Sequence, residues 1–434
     1  MESIEPDADT DTTAFPEKGR EAWLVVLGAW CAMLPPMGLL NSLGTLHAWT
    51  SSNQLHGYSD SSIGWIYGGY GFFLYLAGAQ AGPIFDSYGP SYVVIPGSIG
   101  MVASIFFFSF STVLRTEYYQ IFLSFSVLGG LSACALFTPA ISIIGHWFNV
   151  RRGFATGIAC TAGGLGGVLF PLIVMFAAPV IGFGWALRII ALLSIISLSL
   201  ACLLIRTRLP LSKEPSSAVD FGALISDPHY ATTTAAMFLV EFAVFIPITY
   251  ISSYAVHMGF NKTLSYALIP ILNLGAVPGC FLLGLLADRL GCFNMMIITL
   301  LICSILTLAL WLPIIGRNNT AGIICYVVLF GFWSGAVISL TPVCISQICR
   351  VEDIRKRNGT TFTVSSIGTL TGILIAGAIL QVSWGHGEQQ PQQQEHYYYY
   401  GGLIAFGGAM YFAATLVFIV ARGVCAGWRW SVIF

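Results

Sequence analysis

Charge is what this sequence has least of. Only 9% of its 434 residues are Asp, Glu, Lys or Arg, whereas 56% are hydrophobic. A water-soluble chain of this length carries roughly a quarter charged residues, so a soluble enzyme or binding domain is excluded. The formal net charge is −1, which leaves no basic surface for nucleic acid. The seven histidines are scattered, so the clustered His, Asp and Glu of an intramembrane enzyme are missing. No catalytic residue, cofactor or metal site is expected. Disulfide chemistry is lacking too, despite 11 cysteines. There is no C-x-x-C, and the cysteines fall within apolar runs or near their ends, where a thiol behaves as a small hydrophobe. The first 21 residues hold seven acids, two bases and no apolar stretch. That pattern excludes a cleaved signal peptide and reads as a disordered tail.

What is abundant is apolar sequence in runs long enough to cross a bilayer, which takes about 20 residues. Twelve can be read. Six lie near 22–43, 62–82, 92–113, 118–143, 153–178 and 184–206, and six near 230–253, 264–286, 293–314, 320–348, 359–381 and 400–421. The polar stretch 207–229 separates them. The expected division is a tail 1–21, a bundle 22–206, a central loop 207–229, a bundle 230–421 and a tail 422–434. With the N-terminus inside, inner loops and tails receive 14 of the 18 bases, and only Arg115, Lys262 and Arg317 fall outside. The positive-inside rule therefore makes both termini cytoplasmic.

The two sets of six echo each other. Gly82-Pro-Ile-Phe-Asp86-Ser-Tyr-Gly89 and Gly284-Leu-Leu-Ala-Asp288-Arg289-Leu-Gly291 share a G-x-x-x-D-x-x-G spacing. Pro139 answers Pro342, and Arg151-Arg152-Gly153 answers Arg357-Asn358-Gly359. Three landmarks in nearly one register indicate a duplicated unit. In each octapeptide the glycines suit a tight turn with φ > 0, and the acid suits a membrane edge or a helix end. Small residues recur along the fifth run (Gly153, Gly157, Gly163, Gly164, Gly166, Gly167) and the eleventh (Gly368, Gly372, Gly377). Such spacing permits close helix–helix approach in lipid.

The octapeptides resemble the cytoplasmic loop motif of the major facilitator superfamily of secondary transporters, the second copy more fully than the first, which has Ser87 in place of a base. Three further stretches resemble the fungal relatives of the monocarboxylate porters: Glu17 to Trp23, His146-Trp147-Phe148-Asn149-Val150-Arg151-Arg152-Gly153, and Gly331 to Pro342. The resemblance spans about 17–422. It implies an all-α membrane fold of twelve transmembrane helices in two pseudo-symmetric six-helix bundles, with a substrate site between the bundles near the midplane. It also implies that Asp86, Arg151, Arg152, Asp288 and Arg289 gate the cytoplasmic side. The sequence departs from the animal carriers at two points. Asn41 stands where those carriers place a lysine, and the eighth run has no internal acid–base pair, so their lactate–proton mechanism does not carry over.

Glu241 is the leading candidate for proton or substrate binding. It lies roughly 14 Å into a core about 30 Å thick, where an ionised carboxylate costs several kcal/mol unless it meets a cavity or a partner. A helix–helix hydrogen bond is the plainer alternative. Arg188 enters the sixth run from outside and could bind an anion or snorkel to headgroups. Asn41, Asn273 and Tyr67 could line a cavity or join helices. The expected function is transport of a small organic molecule by alternating access, as efflux of a fungal secondary metabolite. Proton-coupled uptake of a monocarboxylate or other nutrient is the alternative, and a non-transporting sensor a minor one. Expected partners are that small molecule, a proton and the lipid bilayer. The protein is expected to act as a monomer in the plasma membrane.

Overall fold

A computed structural model of the protein describes residues 19–58, 60–111, 118–148, 150–206, 221–317, 319–349, 354–387 and 392–427. Among the described residues every regular element is helical. That is the arrangement expected in lipid, where a helix satisfies its own backbone polar groups.

The described residues form twelve rods. The first, α1, is Arg20–Asn41 continued by Leu43–Ser52, and α2 is Asp60–Leu76 continued by Gly78–Tyr88. The rest of the first half is α3 (Ser91–Ser111), α4 (Tyr118–Trp147), α5 (Arg152–Ile181) and α6 (Phe183–Leu204). The second half is α7 (Pro228–His257), α8 (Lys262–Leu290), α9 (Cys292–Ile314), α10 (Thr320–Gln347), α11 (Ile354–Gly387) and α12 (Gln392–Ala426). Among the described residues, eleven helices are long and apolar enough to cross a membrane. The remaining rod, α2, is interrupted at Ala77, so neither of its pieces qualifies alone.

Several expected boundaries shift. Arg422, placed in a tail by the sequence, lies inside α12, fully buried and hydrogen-bonded to Asn294 of α9. Helix α11 begins earlier than its apolar run, taking in Arg357 and Asn358, because hydrophobicity marks the lipid-immersed part of a helix and not its polar ends. Of the central stretch, 207–220 lie outside the described residues; Phe221–Ser226 form a short helix, and Asp227 caps α7. Residues 1–18 and 428–434 of the expected tails also lie outside them.

The repeat has a backbone counterpart. Gly89 and Gly291, which end the two octapeptides, have φ of 89° and 92°, a region that favours glycine because a Cβ crowds the following carbonyl there. Each stops a rod and turns the chain into the next. The ends of α4, α8 and α12 and the starts of α1, α5 and α9 gather on one side, here the terminus side. Trp23 rests against Phe148 and Phe154, and Arg422 reaches Asn294.

Candidate functional site: the seams and chamber between the halves

Two seams join the halves. Along the first, α5 lies against α8 with almost no side chain between the backbones. A methyl group at Gly157 would run into the Cys280 carbonyl oxygen, and one at Gly153 would sit 2.9 Å from the Gly284 carbonyl oxygen. Only glycine permits this approach. At its terminus-side end the seam is fastened by Asp288. Its Oδ1 accepts the Gly153 N–H at 2.8 Å and its Oδ2 the Phe154 N–H at 2.9 Å. These are the free amides of the first turn of α5, where a carboxylate meets both unpaired donors and the positive end of the helix dipole.

The second seam sets α2 against α11. Here the Thr363 hydroxyl donates to the Leu76 carbonyl at 3.0 Å and accepts the Ala79 N–H at 3.4 Å, bridging the break in α2. One turn deeper, Tyr75 stacks on Phe362 with ring centroids 5.3 Å apart. On the side opposite the termini, the outer segment of α1 closes on α7, with Gly44 against the Ile248 carbonyl.

Between these contacts lies a chamber of about 30 Å³ lined from both halves, room for a water or so. Asn41 and Asn273 line it. The Asn273 amide donates to the Asn41 and Gly167 carbonyls, each at 3.3 Å, and to its own helix at Ile269, 2.9 Å. The Asn41 carbonyl is available because α1 breaks at Ser42, whose hydroxyl bonds back to Gly38. Asn273 is thus a tie across the halves.

Glu241 of α7 is 1% exposed, and its Oε2 has no hydrogen-bond partner. Two phenols lie within electrostatic reach: Tyr75 from α2 and Tyr411 from α12, each likewise buried with an unpartnered hydroxyl. The structure therefore brings one phenol from each half within electrostatic reach of Glu241. Neither tyrosine stood out in the sequence, since each lies among other aromatics in an apolar run and only folding brings them to Glu241.

The other expected residues are placed elsewhere. Tyr67 is hydrogen-bonded to Thr50 at 2.7 Å and ringed by His47 and Phe125, so it ties α1 to α2 and does not meet Glu241. Arg188 lies over the Phe110 and Trp185 rings and donates to Ser109, away from the chamber. Arg152 is buried and donates to the Phe148 and Gly145 carbonyls. Arg151 and Arg289 are exposed at the helix ends. Asp86 falls in the last turn of α2, but its side chain lies outside the described residues.

The family model described as Major Facilitator Superfamily matches residues 23–373. The chain belongs to the major facilitator superfamily. Among its relatives, the MFS transporter asaE of Aspergillus flavus is 35% identical over 423 residues, covering 97% of this chain and 91% of that protein. The fujikurins efflux protein of Gibberella fujikuroi is 36% identical over 369 residues, covering 84% and 77%. The crystal structure of the human organic anion transporter MFSD10 (TETRAN) matches with a TM-score of 0.68 at 15% identity, covering 92% of this chain and all of the other. At that identity the likeness is one of fold.

As a major facilitator, the protein is a multi-pass membrane transporter, and its relatives are transporters rather than enzymes. The sequence overlooked one further tie within the second half. Asp227 accepts the His229 and Tyr230 amides and pairs with Arg357 at 2.9 Å, while the Arg357 guanidinium covers the Tyr230 ring. The signal was available in Asp227-Pro228, a capping residue before a proline suited to a helix start.

Proposed function

We propose that this protein exports a small organic molecule by proton-coupled alternating access, with Glu241 as the proton site and Asp288 as the terminus-side lock. The single observation that carries the coupling is Glu241: a buried carboxyl between the halves, with one oxygen unpartnered. In so dry a place an ionised, unpaired carboxylate costs several kcal/mol. A proton removes that cost while the halves are closed, and solvation removes it when they part. Protonation and closure therefore favour each other. The direction of transport rests on relatives such as the fujikurins efflux protein, whose name points to export of a fungal metabolite. On this reading the protein works as a monomer in the plasma membrane, with bundles 22–206 and 230–421 and both termini cytoplasmic. An engineered cysteine near Lys213 that reacts with an impermeant reagent from outside intact cells overturns that topology.

Asp288 acts as a lock because both of its carboxylate oxygens are engaged by α5, and parting the seam on the terminus side must free them. Asp86, Arg151, Arg152 and Arg289 complete the terminus-side gate on this reading, Asn41 and Asn273 are its substrate-site candidates, and Tyr67 and Arg188 stand back from the chamber. The test of coupling is Glu241→Gln, which keeps size and hydrogen bonding and removes titration. In proteoliposomes with an imposed pH gradient the variant is expected to retain substrate binding and to lose gradient-driven transport by an order of magnitude or more. Undiminished gradient-driven transport with unchanged affinity would sink the coupling role.

A further inference from the structure

The chamber wall is unusual in its donors. Four sulfurs border it, from Met33 and Met37 of α1, Cys160 of α5 and Cys280 of α8, with the amides of Asn41 and Asn273 beside them. Among the described residues no charged side chain lines it. We propose that the chamber binds its substrate as an uncharged, polarizable molecule, a flat aromatic or conjugated body carrying one hydrogen-bonding group for Asn41, and that it rejects carboxylate anions. The proposal rests on the transporter reading above and names the substrate class of that site.

Three observations carry it. Thioethers and thiols are soft, adaptable surfaces that make favourable contacts with aromatic rings, and here they come from both halves, so a flat body held between them would touch both. The Asn273 amide nitrogen is engaged by three backbone carbonyls. The Ser334 hydroxyl on the same wall donates to the Gly331 carbonyl at 3.4 Å, and the Asn41 side chain, its amide nitrogen beside Gly163, is the amide left to read a carbonyl or hydroxyl. Finally, a carboxylate entering the chamber would find no cation. Arg188 is held over two rings at the periphery, and Arg152 is held by the carbonyls that end α4. A buried unpaired anion is expensive, so an acid would have to enter protonated or as a neutral derivative. The closed chamber is too small for such a body, and loading requires the halves to part at seams that carry few hydrogen bonds.

The test uses the purified full-length protein and a panel of aromatic methyl esters with their free acids, built on naphthalene, coumarin and anthracene. Two readouts run together: the shift in Tm on ligand addition, and site-resolved alkylation of Cys160 and Cys280 by N-ethylmaleimide, followed by peptide mass spectrometry. At pH 7 at least one ester is expected to raise Tm and slow alkylation of both cysteines fivefold or more, while its acid does neither. Asn41→Leu is expected to weaken the ester's apparent affinity about tenfold. The proposal is overturned if the acids act as well as the esters, if no ester raises Tm, or if Asn41→Leu leaves ester affinity unchanged. Ester binding without gradient-driven transport across proteoliposomes would instead overturn the coupled-export reading and leave the chamber's ligand class standing. Gradient-driven transport of acids alone would do the reverse.

Discussion

The two seams occupy equivalent places in a duplicated architecture, yet they are fastened by different chemistry. On α5–α8 the backbones touch at glycines, and a carboxylate caps the facing helix with two charge-assisted bonds. On α2–α11 the backbones also meet at a glycine, since a methyl at Gly359 would sit 2.6 Å from the Gly78 carbonyl, while one at Gly78 would sit 3.4 Å from the Gly359 carbonyl. The contrast lies in the fastening. The ties there are a neutral threonine hydroxyl and a stacked ring pair. The difference has a mechanical consequence. The first seam makes or loses its strongest bonds within a single turn, so it is suited to a lock. The second is held by a ring face and a neutral hydroxyl, which part with smaller losses than a charged cap. The sequence contrast between Asp288-Arg289 and Asp86-Ser87 runs in the same direction.

The sharpest way to break this comparison is to add one methyl group to each seam. Gly157→Ala forces a Cβ against the Cys280 carbonyl, an overpacking cost of about 1–3 kcal/mol, and is expected to lower transport tenfold or more. Gly78→Ala on the other seam should stay within about twofold. Fluorescence-detected size exclusion separates loss of folding from loss of turnover, and equal effects of the two substitutions would show that these backbone contacts do not set turnover. Next in size is Asp288→Asn, which keeps an acceptor but loses the charge. A loss of roughly 1 kcal/mol from the α5 cap predicts about a fivefold change in the balance between closed and open states, read as altered accessibility of a cysteine placed on the terminus side of α5. Expression and Tm should stay close to the parent. Thr363→Val, its counterpart on α2–α11, removes one bridging hydroxyl that also bonds to Gly359 of its own helix, a loss of about 0.5 kcal/mol. The expected change is smaller, about two- to threefold in the same assay, and an effect exceeding that of Asp288→Asn would reverse the ranking.

The smallest effect concerns the tie between α7 and α11, which anchors the second seam from behind. Burial pushes the Asp227 carboxyl up, but the Arg357 guanidinium and the Tyr230 and His229 amides outweigh it and hold the group below its usual 3.8. The folded state therefore binds the proton less readily than the unfolded one. The stabilisation is fully present above the ordinary value and is lost as pH falls through the lowered folded value. Tm should drop more steeply for the parent than for Asp227→Asn between about pH 5 and pH 3. Parallel curves would remove Asp227 from the account.

Particular residues show how far the sequence could be read. The positive φ at Gly89 and Gly291 was legible, because a glycine after an acid at the end of an apolar run has few other uses. The isolation of Glu241 was legible from scarcity, as an acid deep in an apolar run. Its neighbours were not: Tyr75 and Tyr411 belong to α2 and α12, and an apolar run in a membrane protein shows no polar face to say which way a tyrosine points. Tyr67 and Arg188 looked equally eligible as cavity residues, and only packing sends one to Thr50 and the other to Trp185. Arg422 read as a tail residue because a cation ordinarily marks the end of a span. The structure buries it against Asn294, a partner 128 positions away.

By itself the sequence determined the architecture. Lipid solvates no backbone, so runs of about 20 apolar residues must become helices, and glycine and charge mark where those helices stop. The tertiary structure alone decided which groups meet across the halves: the Asp288 carboxylate at the α5 amides, the Asn273 amide at the Asn41 carbonyl, the sulfurs around the chamber. Helices in lipid are sorted by close packing and by small residues rather than by a hydrophobic face. The rotation of each rod about its axis, and hence what it shows its neighbour, is therefore fixed only when all twelve are assembled.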